Sequence, residues 1–110
     1  MTTTIRKFDP KAVEVEAKPR DDSDAEVWSN RLYTNDEGNQ YHGVWQAAPG
    51  THANIPGQET VVILSGRATV TGQNGDSVDV AAGDLVFIDA GEVTSWQVHE
   101  TIRKVFVINA

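Results

Sequence analysis

The residues best suited to chemistry in this chain are His52, Asn54 and Glu59, set in the phrase Gly50-Thr51-His52-Ala53-Asn54-Ile55-Pro56-Gly57-Gln58-Glu59, with Thr94 further along. An imidazole and a carboxylate suit divalent transition ions such as Mn, Ni, Zn or Fe. The same pair can move protons, because imidazole titrates near neutrality. An amide and a hydroxyl are weak ligands for these ions, so Asn54 and Thr94 pull the set towards plain hydrogen bonding. Of the remaining histidines, His42 lies on the strand face opposite Trp45, and His99 has the opposite parity to Thr94. Neither is expected to point at a site holding the other four. Trp45 and Trp96 read as pocket walls, while Trp28 reads as core packing. Lys104, inside an apolar strand, must reach Glu59 or another acid, or snorkel to solvent. No Ser-His-Asp ordering is present, and the glycines mark turns between strands, not a phosphate loop ahead of a helix.

Short alternating stretches must position these residues. Val61 and Ile63 share a strand face with Glu59, and the run from Thr60 to Leu64 is apolar on both faces, which predicts a central strand between two layers. Ser65-Gly66 reads as a turn, Ala68 and Val70 point inward, and Asn74-Gly75 signals a type I′ hairpin. Gly83-Asp84 and Ala90-Gly91 frame the strand Leu85 to Ile88. Thr94, Trp96 and Val98 fall on one side of the strand Glu92 to Val98, and Lys104, Phe106 and Ile108 on one side of a last strand, Thr101 to Ile108. Many short strands with turn signals, and no helical period, predict an all-β sandwich or barrel. Residues 1–26 are mostly polar, with the acidic knot Asp21-Asp22-Ser23-Asp24. Their alternation Val13-Glu14-Val15-Glu16 allows one half-buried strand, so they read as an N-terminal arm lying on the barrel or on a neighbouring subunit. Residues 27–110 make the single domain.

A chain of 110 residues supports one core. Its net charge of −7 argues against nucleic acid and against an anionic membrane surface. No apolar run is long enough to span a membrane, and the first residues lack the apolar core of a secretion signal, so a cytoplasmic location is expected. Without cysteine there is no disulfide, thiolate ligand or Cys nucleophile.

The spacing of His52, Asn54, Glu59 and Gly66 resembles the first motif of the cupin superfamily, with Asn54 where a second His would stand. Gly83, Asp89, Gly91 and Thr94 resemble the second motif, with Asp89 and Thr94 replacing its Pro and its His. Gly43-Val44-Trp45 and Trp96-Gln97-Val98 extend the likeness to short single-domain cupins related to the ureidoglycine aminohydrolase cupin domain. The resemblance implies a double-stranded β-helix, or jelly-roll barrel, whose interior gathers residues 52, 54, 59 and 94. Metal-binding cupins place three His and one Glu there, and only His52 and Glu59 are retained. The expected protein is therefore a small-molecule-binding cupin. Its pocket comprises Trp45, His52, Asn54, Glu59, Thr94 and Trp96, with no required cofactor and a homodimer covering the exposed edge strands. Two alternatives stay open: a metal-dependent enzyme on nitrogenous metabolites, with the ion on His52 and Glu59, and a purely structural module whose pocket is filled.

Overall fold

Alternating apolar residues between Gly-rich turns place most of this chain in strands. In the computed structural model, which describes residues 4–110, these are β1 (Glu16–Ala17), β2 (Val27–Thr34), β3 (Gln40–Ala47), β4 (Gly50–Pro56), β5 (Glu59–Thr71), β6 (Ser77–Ala81), β7 (Leu85–Ile88) and β8 (Val93–Asn109). All pairings are antiparallel, and β5 and β8 pair along most of their length. Each of these two strands serves two sheets. The first half of β5 and the second half of β8 sit in the sheet ordered β1-β2-β3-β8-β5-β7, and their other halves join β4 and β6 in the order β4-β8-β5-β6. The result is the expected all-β double-sheet jelly roll. Its two inner faces meet in a core that includes Val61, Ile63, Ala68, Val70, Trp96, Val98 and Ile102.

Several local expectations are corrected. Ser65-Gly66 is no turn, and Glu92–Val98 and Thr101–Ile108 are not separate strands. The chain runs on through both places, bent by shifts in the β5–β8 register at Ile63/Ser65, Ser65/Arg67 and Arg67/Ala68. Gly66 serves the bend: its φ is +86°, and a Cβ there would fall 2.1 Å from the Thr101 carbonyl oxygen. The Asn74-Gly75 hairpin is not type I′ either. Gly75 alone takes a positive φ, of 90°, and its N–H donates to the Gly72 carbonyl at 3.1 Å, which marks a type I turn followed by a left-handed glycine. Finally, β5 is buried on one face only. Val61 and Ile63 are sealed, whereas Val62 is 39% exposed beside Leu85 and Phe87 of β7.

The arm lies against the barrel. Arg103 on β8 donates to the carbonyls of Pro10 and Val13, Asn30 donates to Glu14, and β1 pairs with the start of β2. The Val13–Glu16 alternation shows as half-burial of Val13 and Val15, with strand bonding only at Glu16–Ala17. Residues 22–24 then run beside β4, whose Ala53 N–H donates to Asp22 at 2.8 Å and whose Thr51 carbonyl accepts from Asp24 at 3.0 Å. Trp28 is only half-buried. Its neighbour Val27 takes the core place instead.

Candidate functional site

The inward parity of β5 and β8 decides the centre of the barrel. Glu59 shares its face with Val61 and Ile63, and Lys104 shares its own with Ile102 and Phe106, so both charges point into the core. A buried charge needs a partner, and these two supply each other. Lys104 Nζ lies 3.0 Å from Glu59 Oε1, with the side chains 2% and 3% exposed. Trp45, directly across from Lys104 in the β3–β8 register, and Trp96 complete the enclosure. The ammonium stands 4.5 Å from the Trp45 ring centroid and 4.2 Å from that of Trp96. Both electron-rich faces favour the cation there.

Beside the pair opens a cavity of about 320 Å³ lined by Arg20, Trp45, Ile55, Glu59, Lys104 and Phe106, with Ser29 also on its wall. The buried ion pair marks its inner end, and the half-buried Arg20 and Ser29 its outer end. Arg20 is held there by donation to Ser23 Oγ at 2.9 Å and to the carbonyls of Ala53 at 3.0 Å and Asn54 at 3.3 Å. Among the described residues no sealed side-chain oxygen or nitrogen lacks a partner. Glu59, although its side chain is only 3% exposed, is among the residues that line the cavity.

The remaining residues expected at the site go elsewhere. His52 is fully buried and packs edge-on against Trp45, with ring centroids 5.8 Å apart, but both its nitrogens are engaged in the wall. Nε2 meets the Ala48 carbonyl at 2.9 Å and Nδ1 meets Ser23 Oγ at 2.8 Å. A carbonyl can only accept, so Nε2 donates to Ala48, and in the neutral ring Nδ1 is then the acceptor for the Ser23 hydroxyl. Asn54 is exposed. The β4–β8 register gains a residue between His52 and Ile55, and Asn54 takes φ of 55°, a left-handed conformation that Asn tolerates. The bulge turns its side chain out of the barrel. Thr94 is buried but occupied: its hydroxyl donates to the Ile55 carbonyl at 3.2 Å and accepts from Trp96 Nε1 at 3.0 Å. Of the six residues expected to line one pocket, Trp45 and Glu59 line this cavity, and Trp96 stands behind Lys104. His52, Asn54 and Thr94 do not join them.

The family model for the EutQ-like cupin domain matches residues 34–106, most of the chain. This chain is a member of that cupin family. No curated protein matches its sequence. Among solved structures it is similar to the EutQ protein of Clostridium difficile at 20% identity, over 78% of this chain and 69% of that one, with a TM-score of 0.67. The polyketide cyclase RemF of Streptomyces resistomycificus matches at 16% identity over 96% of this chain and 80% of that one, TM-score 0.74. Ectoine synthase from P. lautus matches at 19% over 96% and 78%, TM-score 0.72. At these identities the likenesses establish the shared fold alone.

For this EutQ-like cupin the chemistry of the donors decides whether an ion would fit. A transition ion needs free lone pairs converging on one point. The free lone pair of His52 is taken by Ser23, Asn54 faces solvent, Thr94 offers a neutral hydroxyl already bonded, and the Glu59 carboxylate holds an ammonium. Among the described residues no group of three His, Asp or Glu side chains converges. The residues present do not fit a cupin metal.

The sequence missed Arg20, Ser29, Ile55 and Phe106 as parts of the cavity. Ser29 and Ile55 lie on strands whose parity puts them opposite Trp45 and Thr94. For Arg20, in a polar arm, no sequence signal exists.

Proposed function

We propose that this cupin binds a small molecule in the cavity between Arg20 and the Glu59–Lys104 pair, with Trp45 as its aromatic wall. One observation carries the reading: a sealed ion pair borders an open volume of about 320 Å³, so polar groups face space that side chains do not fill. A structural module would have closed that space. The alternative of a metal-dependent enzyme on nitrogenous metabolites, similar to ureidoglycine aminohydrolase, has less support, because its ion would have to displace Lys104 from Glu59. Lys104 takes the place of the metal in this reading: it is a fixed cation supplied by the chain.

Native mass spectrometry of the purified protein, with elemental analysis, tests the proposal. A co-purified organic molecule released by unfolding is expected, and a Trp45→Ala variant should lose it. An empty protein that retains its mass and stability when challenged with a broad metabolite set would overturn the reading. Calorimetric titration of metal-stripped protein with Mn, Ni or Zn should show no one-to-one binding at micromolar concentration, and such binding would restore the metal enzyme. We further propose a homodimer, since Leu85 and Phe87 are 58% and 70% exposed on the short edge strand β7. Light scattering at micromolar concentration should return twice the chain mass; the monomer mass would refute it.

A further inference from the structure

The hydrogen-bonding capacity left over in the cavity is distributed unevenly, and the distribution selects a ligand. Arg20 has five N–H donors. Three hydrogen bonds, one from Nη1 to Ser23 and two from Nη2 to the carbonyls of Ala53 and Asn54, leave the Nε–H and one Nη1–H without a protein partner, on a residue that lines the outer end. Ser29, on the same wall, takes no side-chain hydrogen bond among the described residues and offers its hydroxyl beside them. At the inner end the position is reversed. The Lys104 ammonium is spent on Glu59 and on the faces of Trp45 and Trp96, so the polar group that the inner end offers a ligand is the Glu59 carboxylate, which can only accept. Between the ends the walls are apolar or aromatic: Trp45, Ile55 and Phe106.

Charge follows the same division. Lys104 cancels Glu59 at the inner end, so that end asks for a neutral donor and gains nothing from a second cation lodged near the first. The guanidinium is the uncancelled charge among the lining side chains, and each of its remaining N–H groups can give a carboxylate a single charge-assisted hydrogen bond. We infer that the ligand is a small monocarboxylate with a flat apolar body and a neutral hydrogen-bond donor, a hydroxyl or amide N–H, at the opposite end. The carboxylate meets Arg20 and Ser29, the body lies along Trp45, and the donor meets Glu59. This inference rests on the proposed binding cavity and specifies what fills it.

The test uses the intact chain and four probes of nearly equal size: para-hydroxyphenylacetate, phenylacetate, tyrosol and tyramine. Calorimetry and tryptophan emission report binding. The hydroxy acid should bind tightest. Removing its hydroxyl, as in phenylacetate, should weaken binding about tenfold, and replacing its carboxylate, as in tyrosol, by tenfold or more, the usual range for hydrogen bonds to charged partners. Tyramine should bind least. Arg20→Gln should abolish the preference for the acid over tyrosol while leaving the affinity for tyrosol within about twofold. Ser29→Ala, a milder change in the same place, should weaken only the two acids. Tighter binding of tyrosol or tyramine than of the hydroxy acid would overturn the ligand class and leave the binding cavity standing. So would an Arg20→Gln protein that keeps the preference. Absence of response to all four probes would also overturn the class. The cavity reading would fail separately, only if the purified protein also carried no molecule lost on Trp45→Ala.

Discussion

Replacing Lys104 by Met should be among the most damaging single substitutions in this protein. At 3.0 Å, with an effective dielectric constant of about 20, the Coulomb attraction to Glu59 is about 5 kcal/mol. The stability at stake is less direct than that, because folding also strips water from both charges. What matters is the state left behind: a carboxylate 3% exposed with its counter-ion gone. Breaking a buried pair in this way costs about 3–5 kcal/mol, a large part of the roughly 5–15 kcal/mol that holds a typical domain together. For a chain near this size that means a melting temperature lower by about 12–20 °C. The reverse deletion should be milder. In Glu59→Gln the ammonium keeps the faces of Trp45 and Trp96, each worth up to about 2 kcal/mol when desolvated. The double variant should recover most of the loss, since two neutral side chains leave no stranded charge. Denaturant unfolding of all four proteins gives the cycle directly. A Lys104→Met protein within about 1 kcal/mol of the parent, or a double variant worse than either single one, would refute the argument.

Two further outcomes follow from the wall of the barrel. His52→Phe keeps the ring volume but strands the Ala48 carbonyl and the Ser23 hydroxyl, so unfolding should show a loss of about 1–3 kcal/mol; an unchanged midpoint would remove His52 from the wall. Glu92 titrates below its ordinary value of 4.5, chiefly because the Gln73 backbone N–H donates to its carboxylate, with help from the Val93 N–H and the Gln73 side chain. Its contribution is therefore complete above 4.5 and lost as pH falls through the lower folded-state value. In thermal melts from neutral pH downward, Glu92→Gln should lie below the parent protein above pH 4.5 and converge with it in acid. Parallel curves throughout would contradict this.

Alternation made the ion pair legible before any coordinates, since Glu59, Val61 and Ile63 had to share a face and so did Lys104, Phe106 and Ile108. Glu59 was named as one possible partner, but parity says only which way a lysine points, so another acid or an exit to solvent stayed open until the pair was seen. Bulges account for the main errors. Gly66 reads as a turn in a one-dimensional pattern, and only the β5–β8 register shows it bending a continuous strand. The same blindness misplaced Asn54: nothing in the letters says that β4 gains a residue after His52. Arg20 was beyond reach for another reason. Its partners in β4 lie 33 and 34 positions away, and an arm of polar residues carries no period to announce the contact.

One distortion links the poor fit of these residues to a metal with the proposed binding site. With β4 regular, residues 52 and 54 would share the inward face and offer two donors to a common point. The bulge sends the Asn54 side chain to solvent, and Ala53 and Asn54 present their carbonyls to Arg20. Those two acceptors and Ser23 hold the guanidinium at the cavity, while Ser23 also closes the lone pair of His52. A single extra residue in the β4–β8 ladder thus removes one ligand position and anchors the arm that occupies another. It also supplies the outer end of the cavity with its charge. Lys104 then meets the remaining carboxylate, Glu59, with a cation that the chain itself carries.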